Sequence, residues 1–176
     1  MARSDSASSV MQAALPKVRA ILAGFRRDGF PVDVEGIAAS QGMHVMTCRM
    51  PPNVLGALNL TSEGWVLLLA QQQTPPRRRW TVAHELGHHL LHSGRAHPIV
   101  RTGAAAYDWT LEVEANAFAR ELLMPVEACE TALAGHPESE WPSVVSETFG
   151  VSRSAARWRL VEMKLAQPPE VLVPAL

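Results

Sequence analysis

The chain has 176 residues, 47% of them apolar, with 16 basic against 17 acidic side chains and a mean hydropathy of +0.01. That length and mix suit one domain with a core of its own, and exclude a disordered tail or a membrane bundle. The net charge of −1 gives no global attraction to nucleic acid or to an anionic membrane.

Residues 1–8 are Ser-rich and expected to be disordered. From Val10, apolar residues at 10, 11, 14, 15, 18, 21, 22 and 25 recur at helical spacing. Pro16 either splits this helix or marks a start, and Gly29 ends it. Pro16, Lys17 and Arg19 interrupt the N-terminal apolar stretch, and no run reaches the length of a membrane span, so a cytoplasmic protein is expected. A short helix should run from an Asp33 N-cap to Gly42. "MHVMTCRM", "VLGALNL" and "GWVLLLA" then read as two or three antiparallel strands, parted by "PPN" and "TSEG". The last is apolar almost throughout, which suits burial on both faces. Two cysteines, Cys48 and Cys129, have no zinc-finger spacing and are read as reduced thiols.

Thr74-Pro75-Pro76 is a helix start, and that helix should run to about residue 93. After a loop over 95–107, Asp108 caps a helix "WTLEVEANAFARELLM" that Pro125 stops. Further helices are expected at about 125–134, 143–149 and 152–166, with "HPESEWP" as a linker and 167–176 as an extended tail. There are no internal repeats. The class is α+β, mostly helical, with a small antiparallel sheet beside the 75–93 helix.

That helix carries "HELGHHLLH", with His84, Glu85 and His88 in H-E-x-x-H register. Residues four apart share a helix face, so His84 and His88 can hold one metal ion. Glu85 lies at the edge of that face, placed to touch a water on the metal rather than to complete the ligand set. The alternative pair, His88 and His92, puts His89 where the acid should be and supplies no base. An open catalytic site needs a third ligand, and "LEVEANAFARELLMP" offers Glu112 and Glu114, about 200° apart around a helix. Glu112 adjoins the Leu111, Ala115, Phe118 and Leu122 stripe and can face the metal, leaving Glu114 to solvent. Asn116, one turn on, can accept the free ring N–H of His84. His89 and His92 read as packing or supporting residues. The oxyanion donor is assigned first to Tyr107, the only tyrosine, ahead of His92, Arg95 and His97.

"RRRWTVAHELGHHLLH" followed by "EVEANAFARELLMP" resembles the ImmA/IrrE family of metallopeptidases, with R-x-R-F-T-x-A-H-E-x-G-H-x-x-L-H and E-x-x-A-N-x-F-A-x-x-L-L-M-P blocks. "VLGALNL" and "FGVS" fit as well, and Trp80 stands where the family usually has Phe. The resemblance implies a gluzincin-like metallopeptidase domain over 9–166, with His84, His88 and Glu112 as ligands and Glu85 as the catalytic acid. It also implies that the 143–166 hairpin belongs to the same core. The implied partner is a protein substrate, typically a helix-turn-helix repressor whose cleavage derepresses stress or mobile-element genes.

A His/His/Glu donor set suits Zn2+, with Mn2+ or Fe2+ left open. The competing function is a metal-binding regulator that binds DNA or a repressor without proteolysis, using Arg153, Arg157 and Arg159 of the hairpin. A hairpin closing the core is favoured, with Val151, Ala155, Trp158 and Leu160 as packing residues. A catalytically silent scaffold is the third possibility. The run Arg77, Arg78 and Arg79 sits at a helix start, where the dipole disfavours cations, and so calls for an acid in the fold or in a substrate. The sequence leaves the oligomeric state open.

Overall fold

The computed structural model describes residues 2–25, 29–52, 54–92 and 109–168, with side chains from residue 9 onward. The chain begins with α1 (Ala2–Leu22), one helix that runs through Pro16. Residues 2–8, expected to be disordered, thus form the first turns of α1. Once residues 9–22 have nucleated the helix, each added residue meets only the small cost of propagation. The helix stops at Leu22 rather than near Gly29, closed by Ala23 N–H to Arg19 O at 2.9 Å and Gly24 N–H to Ile21 O at 3.1 Å. Next comes α2 (Val34–Ser40), N-capped as expected: the Asp33 carboxylate accepts from Gly36 N–H at 2.9 Å.

Three strands follow: β1 (Met43–Cys48), β2 (Gly56–Thr61) and β3 (Gly64–Ala70). Their order is β1-β3-β2, with β2 antiparallel and β1 parallel to β3. The sheet is therefore mixed, not purely antiparallel. The 49–55 connection carries the chain past the place of β3, so β2 forms on the far side. The Ser62-Glu63 turn then returns β3 between the two, running the same way as β1. The apolar run "GWVLLLA" becomes the central strand, with Leu67 and Leu69 fully buried against the helices. Val66 and Leu68, on its other face, are only half-buried.

The sheet lies beside α3 (Pro75–His92), and α4 (Trp109–Leu123) packs across the other side of α3. The crossing is close because the residues there are small. A Cβ added at Gly87 would lie 3.1 Å from Ala115 O, 3.1 Å from Phe118 Cβ and 3.2 Å from Ala115 Cα. Two of these atoms are backbone and cannot give way. Gly87→Val should therefore destabilise the fold by about 1–3 kcal/mol through overpacking. Thermal unfolding should show a lower midpoint, and an unchanged one would mean the two helices do not cross so closely.

Pro125 ends α4, and α5 (Val126–Leu133) follows, with Cys129 and Leu133 buried. Both cysteines are free thiols, and burial pushes the Cys129 thiol up to about 11. The chain closes with α6 (Trp141–Phe149) and α7 (Arg153–Glu162), joined by Gly150 in the left-handed conformation. The linker expected at "HPESEWP" holds a short 3-10 turn, Glu138–Glu140. Val151 and Leu160 are buried and Ala155 is half-buried, but Trp158 is 48% exposed and does not pack in the core. Arg159 takes the inward place one residue on. Its Nη2 donates to Glu121 Oε1 at 2.6 Å and its Nε to Met124 O at 2.8 Å. The buried arginine ties α7 to α4, as a hairpin that closes the core requires.

Candidate metal centre

Two helices build the site. Three residues on α3 and α4, His84, His88 and Glu112, bring one donor atom each to within 4.8 Å of one another. The Nε2 atoms of His84 and His88 are 3.1 Å apart. The Glu112 carboxylate straddles them, with Oε2 3.5 Å from His84 Nε2 and Oε1 3.5 Å from His88 Nε2. Tetrahedral zinc with arms of about 2.0–2.1 Å needs donor separations of roughly 3.3–3.4 Å. The imidazole separation of 3.1 Å and the approach of one carboxylate oxygen to each ring at 3.5 Å lie close to that value, so the three side chains can gather round such an ion. Hydrogen bonding to His84 first and His88 second holds the Glu112 carboxyl well below the ordinary carboxylate range, against the effect of burial. The carboxylate is therefore ionised at neutral pH, the state a ligand needs. A proton shared with the imidazoles would leave as a cation entered.

The surroundings orient the rings. His84 Nδ1 lies 3.1 Å from Asn116 Oδ1, the contact expected for that side chain. His88 Nδ1 lies 3.2 Å from His92 Nδ1, and His92 Nε2 lies 2.8 Å from Glu114 Oε2. Glu114 is thus not turned to solvent: on the curved face of α4 it meets the last turn of α3, where His92 lies one turn beyond His88. His89 packs its ring against Trp65 with centroids 5.0 Å apart, and burial lowers its pKa. It serves packing. Tyr107, with Arg95 and His97, lies outside the described residues.

Glu85 is buried, 7% exposed, and is not one of the three converging donors. Its carboxylate lies under the start of β2, where a Cβ on Gly56 would stand 3.5 Å from Glu85 Oε1 and 2.6 Å from Thr81 Cγ2. Only a residue without a side chain lets the strand pass here. Gln73 fixes the approach: it donates to Leu55 O at 2.7 Å and accepts from the Thr81 hydroxyl at 2.8 Å. Leu55 O accepts from Ala70 N–H at 3.0 Å, so residues 55, 57 and 59 bond towards β3. Gly56, Leu58 and Leu60 then present their N–H and C=O groups on the opposite edge. Among the described residues no strand pairs with that edge.

Two arginines of the basic run, Arg78 and Arg79, have partners within the fold. Arg78 Nε donates to Glu35 at 2.7 Å and Nη1 to Thr47 Oγ1 at 2.8 Å, and the hydrogen bond to Glu35 raises the arginine pKa. Arg79 donates to Val32 O at 2.8 Å, and burial lowers its pKa. The His92–Glu114 pair was the residue pair that sequence reasoning missed. Its signal was a second i, i+4 histidine spacing, 88 and 92, in line with an acid on the neighbouring helix.

Among the described residues, no helix is long and apolar enough to cross a membrane. No curated protein matches the chain. One solved structure, a Mycobacterium tuberculosis transcriptional regulator, is similar with a TM-score of 0.57 at 19% identity. The match covers 92% of this chain and 48% of that one, so this chain spans about half the length of its neighbour. At that identity the likeness is one of fold. The Peptidase_M78 family model, described as the IrrE N-terminal-like domain, matches residues 38–161. The matched stretch runs from α2 to α7, takes in both helices of the His84, His88 and Glu112 cluster and covers well over half of the sequence, so the chain belongs to the Peptidase_M78 family.

Proposed function

We propose that the chain is a zinc-dependent endopeptidase, with His84, His88 and Glu112 as ligands and Glu85 as the general base. The observation that carries this reading is the convergence of those three donors beside an acid on the same helix, within a peptidase-family domain. When bound, a divalent ion supplies Lewis acidity, which polarises a carbonyl and makes a water acidic enough to attack at neutral pH. Glu85 would serve as the general base, taking a proton from the attacking water and passing it to the leaving amine. Asn116 holds His84 with its Nε2 towards the donor cluster. The free edge of β2 pairs with an extended peptide, using the backbone of Gly56, Leu58 and Leu60.

The substrate we favour is a helix-turn-helix repressor, whose cleavage would derepress stress or mobile-element genes. Family membership supports a protein partner of this kind, and the structural neighbour is itself a transcriptional regulator. The test is incubation of wild type and Glu85→Gln with helix-turn-helix proteins encoded nearby, read by mass spectrometry of fragments. Fragments from the wild type alone support the reading, and fragments from neither remove the repressor as substrate.

Metal retention tests the ligand set. His84→Ala should weaken zinc binding by more than about a hundredfold, beyond the effect of losing an outer partner. Competition against a chromophoric chelator measures it, and wild-type affinity in that variant would contradict the assignment. A non-proteolytic regulator is the second reading, favoured by the exposed Arg157 and the 48% exposed Trp158 on α7. A salt-sensitive DNA mobility shift with the isolated chain would support it. Against it, Arg159 is 5% exposed and committed to the core.

A further inference from the structure

We infer that His92 and Glu114 form a positioning relay that fixes the ring orientation and proton placement of His88, an inference that rests on the metallopeptidase reading. His92 sits one helical turn beyond His88, with its side chain 3% exposed. Its Nε2 lies 2.8 Å from Glu114 Oε2. An ionised carboxylate only accepts, so Nε2 carries the His92 proton. With a single proton on the His92 ring, Nδ1 is an acceptor. It faces His88 Nδ1 at 3.2 Å, and two nitrogens at that distance share a single proton. His88 must therefore donate from Nδ1. This leaves Nε2 as the ring nitrogen that faces His84 Nε2 at 3.1 Å and the Glu112 carboxylate at 3.5 Å, where an entering cation would displace the proton shared there.

The direction of every hydrogen bond in the chain follows from its terminal acid. Asn116 performs the same service for His84 at 3.1 Å, so each ligand histidine has its own orienting partner. The two acids of α4 divide the work. Glu112 faces the ion directly, and Glu114 acts through His92. His92 and Glu114 act through His88, and both are positioning residues.

The alternative is a buried pair that only fastens α3 to α4. Two variants separate the possibilities. His92→Leu removes the acceptor for His88. His92→Asn keeps an acceptor oxygen where Nδ1 stood. If the relay operates, zinc binding to His92→Leu should be about 10–100-fold weaker than wild type, and binding to His92→Asn within about threefold of it. Thermal unfolding of the metal-free proteins establishes that both fold. A folded Leu variant with wild-type affinity, or an Asn variant no better than Leu, overturns the relay. Long-range 1H–15N correlation spectra of metal-free wild type at about pH 8, above the ordinary imidazole range, give a readout that needs neither zinc nor a folded variant. The relay requires His92 protonated at Nε2 and bare at Nδ1, with His88 protonated at Nδ1. The reverse placement overturns it. Should wild type bind no zinc, the metallopeptidase reading fails, and the spectrum alone decides the relay.

Discussion

Glu85→Gln should leave the chain folded and zinc-loaded while peptide cleavage falls by about 10²–10⁴-fold, the usual contribution of a general base. Glutamine has the shape of glutamate and keeps a hydrogen-bonding end, but it does not take up a proton. Zinc binding should survive because Glu85 is not among the three converging donors. Stability should hold as well, since the substitution puts a neutral amide in place of a carboxylate on a buried residue, 7% exposed. Cleavage assays on zinc-saturated protein, with metal content measured on the same sample, make the comparison. Full activity in this variant would remove the hydrolase reading. Loss of zinc would move Glu85 from base to ligand.

Arg159→Met should have the largest effect on stability. The substitution strips the partner from Glu121, 2.6 Å away, with both side chains 6% exposed. It also removes the Nε donor to Met124 O. Orphaning a buried charge costs about 3–5 kcal/mol, whereas replacing both partners by apolar groups is often neutral. At roughly 2–4 °C per kcal/mol for a chain of this size, the melting midpoint should fall by about 6–20 °C. Arg19 Nε, 3.6 Å from Glu121 Oε2, is half-exposed and compensates little. The Arg159→Met, Glu121→Leu double variant should recover most of the loss. Thermal unfolding of the three proteins checks this. A single variant that melts like wild type would free Arg159 for a nucleic-acid role.

The two helices that carry the His84, His88 and Glu112 cluster were legible because their signals are local. Thr74-Pro75-Pro76 opens α3, and H-E-x-x-H puts His84 and His88 on one face whatever the rest of the chain does. Glu112 could be preferred to Glu114 because the apolar stripe of α4 fixes which side turns inward. The three strands were legible as apolar runs bounded by turn residues, but their pairing was not. A two-residue turn implies that β2 and β3 are antiparallel, yet nothing in "MHVMTC" says which side of β3 it joins, or in which direction. Trp158 and Arg159 inverted the expectation that the aromatic packs and the cation faces water. That outcome depends on Glu121 and the Met124 carbonyl, thirty-five or more residues away in sequence. Glu114 was misplaced for a related reason. Helical spacing gives its direction around α4, but not that the last turn of α3 passes beneath it.

A crystal of the zinc-loaded protein, with anomalous data collected at the zinc edge, tests the central claim most directly. A single strong peak should lie about 2.0–2.2 Å from His84 Nε2, His88 Nε2 and a Glu112 oxygen, with a non-protein oxygen at the remaining corner. A peak held by other residues, a fourth protein ligand closing the site, or zinc-loaded protein with no peak between α3 and α4 would contradict it.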